Sequence, residues 1–404
     1  ETSSPGAGKW ESLRLVLSRL DVAPQQCMGI ADGDNDLEWL GQIGVPVAMA
    51  NARPSVVAVA QRHIGHHADE AVADYLEEWF DLAPASPQTS TAAQGWTPVS
   101  KLSQAIEELR DRLGPQAVST DESDLEATSH DTWPLTTKWE LQGLHPNKAD
   151  VLVRASRTTA IVPVLEIASR HEIPVTVRAL GSSVTGQPLP VHGGIVLDVS
   201  GIPANFTLNE TDLVVTATAS SNGGELEDEL NALGYTLGHS PQSLYRSTIG
   251  GWLSTLATGQ FSSLYGGIED LVVGYTVILA TGETVDLSAS PRAAMGPDLR
   301  QVFIGSEGTL GVISSVTLKV FPLPAAELVQ TFVMPDVAAG LAFMREQASL
   351  GLRPFLLRFY DTEEARHAMA DPTFDSPVLF LGSRGVREMA ETELRVLTQL
   401  ALDH

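Results

Sequence analysis

The sequence predicts a parallel α/β segment, a linker and a larger α+β region, and three observations carry that reading. Helical and strand patterns alternate through the first 80 residues. All periodicity is then lost over 83–98, "APASPQTSTAAQGWTP". From about residue 149, many short strands broken by Gly-rich stretches run to residue 320. Strands alternating with helices imply a parallel sheet whose functional groups sit at the carboxyl ends of the strands. A stretch of Ala, Ser, Thr and Pro without periodicity reads as a linker.

In chain order, "WESLRLVLSRL" (10–20) spaces its apolar residues as one helix face, and "CMGIAD" (27–32) reads as a buried strand ending in a carboxylate. "LEWLGQIG" (37–44) reads as a helix and "VPVAMA" (45–50) as a short strand. "PSVVAVAQRH" (54–63) reads as a helix with Pro54 near its start. Beyond the linker, "SKLSQAIEELRDRL" (100–113) is a one-faced helix. "ADVLVRA" (149–155) is a strand, "TTAIVPVLEIASRH" (158–171) a helix and "PVTVRA" (174–179) a strand. Short strands follow in "GIVLDV", "DLVVTATA", "LVVGYTVILA" and "LGVISSVTLKV", and "LVQTFVMP" opens a further strand–helix–strand run. No internal repeat interrupts this order.

Composition narrows the function. Against 50 Asp plus Glu stand 25 Lys plus Arg, a formal charge of -25. Such a surface repels nucleic acid and anionic lipid, so neither is an expected partner. Solubility alone also accounts for the acidity. The single cysteine, Cys27, permits no internal disulfide and fits a reducing compartment. No apolar run has transmembrane length and no secretory pattern opens the chain. A cytoplasmic protein acting on a small molecule is expected, with a homodimer open to it. The sequons at Asn205 and Asn209 carry no weight in that compartment. The chain opens without Met and stops at "LALDH", from which a piece of a longer protein is expected.

Asp32, Asp34, Asp36 and Glu38 crowd together directly after the 27–32 strand. An EF-hand loop starting at Asp32 needs Gly at its sixth position and Glu at its twelfth. Leu37 and Ile43 stand there instead. At a strand end, Asp32 and Asp36 can face one Mg²⁺, which needs only one or two carboxylates beside water and substrate phosphate. Asn35 would fix the loop between them, and Lys9 could neutralise the phosphate. A solvated acidic loop is the alternative. "SPGAGKW" lacks the spacing of a phosphate loop and has Trp10 where Ser or Thr belongs. His63, His66 and His67 read as a solvated cluster in a turn after a helix.

Residues 8–80 resemble the C-terminal part of Cof-type haloacid dehalogenase-like phosphatases, through Lys9, "DGDND" and "GVPVAMANA" in that order. The resemblance implies Mg²⁺ held by Asp32 and Asp36, a phosphoryl contact from Lys9, and Asn51 near the substrate. In that family the nucleophile is the first Asp of a D-x-D motif upstream of the matched segment. Its absence here implies metal binding without a covalent phosphoryl-enzyme step.

Three Gly-rich stretches mark the larger region: "VRALGSSVTGQ" (177–187), "SLYRSTIGGWLSTLATGQFSSLYGG" (243–267) and "IGSEGTLGVI" (304–313). Gly lets backbone N–H groups approach a ligand and point inward, which is how an acidic chain can hold a pyrophosphate. Each stretch alone also reads as a tight turn. Taken together, residues 145–325 resemble the FAD-binding domain of FAD-linked oxidases of the vanillyl-alcohol-oxidase/p-cresol-methylhydroxylase (PCMH) superfamily. "STIGGW", "YGGIEDLVV", "PRAAMGPD" and "GSEGTLGVI" are most similar to alkyldihydroxyacetonephosphate synthases, with D-lactate and glycolate dehydrogenases near.

This resemblance implies non-covalent FAD, its pyrophosphate cradled by Arg178, Leu180, Gly181, Ser182 and Ser183. Ser247, Thr248, Gly250 and Gly251, then Ala257, Thr258 and Gly259, would line the ribityl chain and ring. Glu307, Gly308, Gly311 and Val312 would complete the pocket. Leu180 departs from the family's small residue, and Ser182 from its usual Thr. No His or Cys in the first stretch offers covalent attachment. Residues 326–404 resemble the start of a ferredoxin-like substrate cap, and Arg292 and Arg358 are candidates for a substrate anion; a surface ion pair is the alternative for each.

The expected domains are thus a phosphatase-like segment (1–82), a linker (83–98), a PCMH-type FAD-binding domain (99–325) and a partial cap (326–404). The expected function is FAD-dependent oxidation of a 2-hydroxy acid or similar anionic alcohol, or an alkylglycerone-phosphate-synthase-like reaction. The rival readings are a phosphatase carried by the first module and a non-catalytic flavin-binding remnant.

Overall fold

The computed structural model describes residues 10, 13–14, 17–18, 22–66, 71–79, 99–287 and 298–404. Lys9, His67, the 83–98 stretch and Arg292 lie outside them. The chain divides into two compact units, Glu1–Thr89 and Ser90–His404. No helix among the described residues is long and apolar enough to cross a membrane.

The first unit carries β1 (Met28–Ala31), β2 (Val45–Ala48) and β3 (Arg62–His63) as a parallel sheet in sequence order. Ala31, Leu40, Ile43, Ala48 and Val56 form its core, with Trp39 packed against them. Two expectations change. Only Ala31 of β1 is buried, so the strand is half-covered rather than buried throughout. The helix from Pro54 ends at Val59, because Ala60 turns extended at ψ 140°, and Arg62–His63 pair with β2 instead of continuing it. His63 therefore sits in a strand, not in a turn.

Among the described residues, the second unit is built on three larger sheets and one two-stranded pair. β4 (Val118–Ser119), β5 (Val151–Arg154), β6 (Val175–Arg178) and β7 (Ile195–Asp198) form the first, in the order β4-β5-β7-β6. β5, β7 and β6 run parallel, which demands a crossover. The Ile161–His171 helix supplies it, burying Ile161, Val164, Leu165 and Ala168 at helical spacing. Ala105 and Leu109 of the Val99–Leu113 helix pack on the same core.

Next in the chain come β8 (Phe206–Asn209), β9 (Val214–Thr218), β10 (Tyr235–Thr236), β11 (Val272–Ile278), β12 (Thr284–Leu287), β13 (Val312–Lys319) and β14 (Phe321–Pro322). Five of them make an antiparallel sheet, β12-β11-β13-β9-β8, while β10 pairs with β14. Ile278 and Val312 belong to the first sheet's core, so the two sheets share packing where β13 begins. The short-strand reading of this region missed several helices, among them Gly223–Ala232 and Ile249–Ser254. Paired glycines disfavour helix, but capping offsets this: Asn222 accepts from Gly224 and Glu225 N–H, and Thr248 from Gly251 N–H. Close packing also requires Gly223, where a Cβ would lie 2.0 Å from the Trp252 ring.

β15 (Ala326–Val333), β16 (Leu356–Tyr360) and β17 (Val378–Gly385) form the third sheet, antiparallel in the order β15-β17-β16. Phe343 and Leu397, from the Val337–Ser349 and Arg387–Asp403 helices, pack on Leu379 and Leu381 on one face. An additional helix, Thr362–Met369, follows β16.

Candidate cofactor site

Beyond the carboxyl end of β6 lies a cavity of about 530 Å³, walled by all three Gly-rich stretches. Leu180, Gly181, Ser182 and Ser183 come from the first stretch. Ser247, Thr248, Gly250, Gly251, Ala257 and Thr258 come from the second, and Glu307, Gly308, Gly311 and Val312 from the third. The tertiary structure therefore gathers residues that are far apart in the chain. Two of the expected residues, Arg178 and Gly259, do not line the cavity. Gly259 packs on the Ser240 backbone, where a Cβ would come within 2.4 Å.

The hydrogen-bonding state of the first stretch is its main feature. Among the described residues, the backbone N–H groups of Ala179, Leu180, Gly181, Ser182, Ser183 and Val184 have no acceptor. Backbone donors are normally paired, and a run of unpaired ones forms a concavity suited to an anion. Among the described residues, no Lys, Arg or His lines the cavity, and Glu307 is the one charged residue that does. An anion seated there would be held by backbone dipoles.

Arg178 lies behind the loop. A Cβ on Gly181, at φ +65°, would sit 2.2 Å from the Arg178 guanidinium. That side chain donates to the His130 carbonyl at 2.7 Å. Burial lowers its pKa, while Asp198 and Asp131 oppose the shift. It supports the loop and places positive charge beneath it, instead of meeting a ligand from the cavity. The far end of the loop is tied down by Asp131, 6% exposed. Its carboxylate accepts from Gly186 N–H at 2.9 Å, Trp133 N–H at 3.0 Å and Thr136 Oγ1 at 2.8 Å.

Across the cavity, Gln187 Nε2 donates to Glu307 Oε1 at 3.2 Å, joining the first stretch to the third. Glu307 holds φ +53°, a left-handed conformation unusual for a residue other than Gly. Below the second stretch, Trp252 Nε1 donates to Ser247 Oγ at 2.7 Å, and Ser247 Oγ donates to the Ser243 carbonyl at 2.7 Å. His239 meets the Trp252 ring at 4.6 Å between centroids, and neither ring nitrogen has a partner. Burial pushes its pKa down to about 4, so the imidazole is neutral at pH 7.

Sequence reasoning missed Asp131, Gln187 and His239. Asp131 had a readable signal, since an Asp two residues ahead of a donor N–H and just before a Pro-started helix favours a local turn. Gln187 and His239 had none, because their roles depend on long-range neighbours.

Arg358, on β16, stacks over the Tyr360 ring at 5.2 Å and makes no ion pair among the described residues. Arg292 lies outside those residues. In the first unit, Asp32 follows β1 and accepts from Asn51 Nδ2 at 3.3 Å. Asp36 Oδ1 accepts from Trp39 Nε1 at 2.9 Å, and Asp34 bonds Ser55. No group of three or more His, Cys, Asp or Glu stands together as a metal site among the described residues.

Comparison with known proteins follows the same division. Residues 149–288 match the FAD binding domain family, and residues 1–76 match the haloacid dehalogenase-like hydrolase family. An alkyldihydroxyacetonephosphate synthase of Caenorhabditis elegans is 35% identical over 227 residues, covering 55% of this chain and 38% of that protein. An uncharacterized FAD-linked oxidoreductase of Escherichia coli (strain K12), YgcU, is 35% identical over 264 residues, covering 64% and 54%. A D-lactate dehydrogenase of Anaerostipes hadrus is 28% identical over 217 residues, covering 54% and 46%. The chain thus spans 38% to 54% of the length of these relatives.

Among solved structures, an alkyldihydroxyacetonephosphate synthase superposes with TM-score 0.66 at 22% identity, covering 74% of this chain and 59% of that one. p-Cresol methylhydroxylase superposes with TM-score 0.62 at 14% identity, covering 76% and 65%. These structures share the fold. The second unit is thus similar to FAD-linked proteins through its match to the FAD binding domain family, and the first unit to haloacid dehalogenase-like hydrolases.

Proposed function

We propose that the second unit is a flavoenzyme that binds FAD non-covalently in the 530 Å³ cavity. Its substrate is a 2-hydroxy acid or similar small anionic alcohol, or an alkylglycerone-phosphate-like compound. The observation that carries this reading is the row of six acceptor-free N–H groups from Ala179 to Val184. They suit a pyrophosphate in a cavity with no cationic side chain among its described lining residues. Leu180, Gly181, Ser182 and Ser183 would hold the pyrophosphate. Ser247, Thr248, Gly250, Gly251, Ala257 and Thr258 would line the ribityl chain and ring, and Glu307, Gly308, Gly311 and Val312 would close the pocket. When bound, FAD supplies the redox chemistry, and the chain's residues orient it and exclude water.

Arg358, whose guanidinium makes no ion pair among the described residues, would hold the substrate's carboxylate or phosphate. Arg292 is a second candidate for that role. The names of two relatives, alkyldihydroxyacetonephosphate synthase and D-lactate dehydrogenase, support both substrate classes. The test is a gel-filtered mixture of the full chain and FAD. Retained flavin absorbance is expected, and its absence sinks the reading. Bleaching of that absorbance by D-lactate, glycolate or an alkyl-glycerone phosphate then chooses the substrate and excludes a non-catalytic remnant.

A second reading concerns the first unit, where the Asn51–Asp32 contact places an amide beside the strand-end carboxylate. Asp32 and Asp36 would hold Mg²⁺, a hard cation suited to such oxygen donors, with Lys9 as the phosphate contact. Calorimetric titration with Mg²⁺ tests this, and no heat from binding would end it.

A further inference from the structure

The third sheet meets the cavity wall around a buried cation. Arg384, on β17, has a side chain 6% exposed. Three aromatic rings enclose its guanidinium. Phe261 lies at 5.0 Å and Tyr265 at 5.7 Å, both from the segment that follows Ala257 and Thr258; Phe355, before β16, lies at 5.1 Å. Nη2 is 3.4 Å from Glu327 on β15, its cross-strand neighbour, yet Nε and Nη1 are buried without a hydrogen-bond partner. Around this cation, Phe261 meets Phe355 edge-on at 5.2 Å, and Ser263 Oγ donates to the Pro354 carbonyl at 2.5 Å. Strand alternation sets the direction. Ser383 reaches Glu393 of the covering helix, so Arg384 points from the opposite face toward residues 261–265.

Stability does not explain a charge in this place. A desolvated guanidinium with unpaired donors is costly, and a well-packed aliphatic side chain of like volume is often at least as stable. Apolar side chains would also tolerate sliding between the sheet and the wall. A cation centred over three rings is tied to one position by the ring quadrupoles.

We propose that Arg384 is a positioning residue whose charge, caged by Phe261, Tyr265 and Phe355, fixes the third sheet against the Ala257–Tyr265 segment and so sets that wall of the cavity. The link to the cofactor rests on the flavin reading; the lock itself does not.

Hydrogen exchange of the cofactor-free full chain reads the lock directly. In Arg384→Met, melting is expected within a few degrees of wild type, while amides of residues 257–265 exchange on the order of 10-fold faster, the weight of one or two lost cation–π contacts. Arg384→Lys restores part of the protection. Phe261→Leu keeps the charge, removes one ring, and is expected to loosen 257–265 as well. Unchanged exchange in both Arg384→Met and Phe261→Leu overturns the proposal, and so does global unfolding of Arg384→Met with local exchange unchanged in Phe261→Leu. FAD titration then separates the two readings. If wild type binds no FAD, the flavin reading falls and the lock stands on the exchange data. If wild type binds and Arg384→Met, with a loosened segment, binds equally well, the coupling to the cavity falls.

Discussion

The two units present opposite kinds of ligand chemistry. The first offers carboxylates at the end of a parallel strand; the second offers backbone N–H groups in a loop at the end of another. In the first, the conspicuous side chains already have neutral partners: Asp32 with Asn51, Asp34 with Ser55, Asp36 with Trp39. In the second, six consecutive N–H groups have no acceptor among the described residues. Unmet hydrogen-bonding capacity, not density of charge, marks the place where a ligand is most needed.

The largest test of that contrast is Gly181→Val. The residue must hold φ +65°, and its Cβ would lie 2.2 Å from Arg178. Backbone strain and overpacking together predict a loss of FAD affinity on the order of 1,000-fold by titration. Retained affinity would break the assignment of the anion site to backbone N–H groups.

His239 sharpens it next. Its folded pKa of about 4 lies below the ordinary 6.5, so the folded protein binds fewer protons than the unfolded chain. Stability should therefore fall as pH drops from 6.5 toward 4. The linkage is worth about 3 kcal/mol. Melting temperature against pH checks the slope, and His239→Phe should flatten it.

Asp131→Ala comes third. It strands the Gly186 and Trp133 N–H groups and should cost about 2 kcal/mol of stability by denaturant titration, with weaker FAD binding because the loop's far end is released. The smallest effect belongs to the first unit. Asp32→Asn with Asp36→Asn should leave FAD affinity unchanged and stability within about 0.5 kcal/mol, while removing any Mg²⁺ binding. A fall in FAD affinity in that variant would join two sites that the contrast separates.

Much of the fold was legible because its signals are local. The Ile161–His171 helix and its flanking strands announce themselves by period, and so do the strands of the third sheet. The Gly223–Ala232 helix hid behind paired glycines whose cause, the Trp252 ring, lies elsewhere in the chain. The end of the Pro54 helix hid for a similar reason: Arg62–His63 are drawn into a strand by β2. Of the cavity residues, those in Gly-bearing loops were legible because a ligand-facing backbone needs small residues. Arg384 was not, since nothing in its own neighbourhood shows what it touches, and of Asp131 only the local turn was legible, not its bond to the distant Gly186.

By itself, the sequence determined that the chain is strongly acidic and where its three Gly-bearing loops lie. Only the tertiary structure decided that the loops share one cavity, that Arg178 stands behind its loop, and that Arg384 is caged against the wall. The physical reason is that loop flexibility is a property of the local chain, whereas burial, facing direction and unmet hydrogen bonds arise only when distant segments pack.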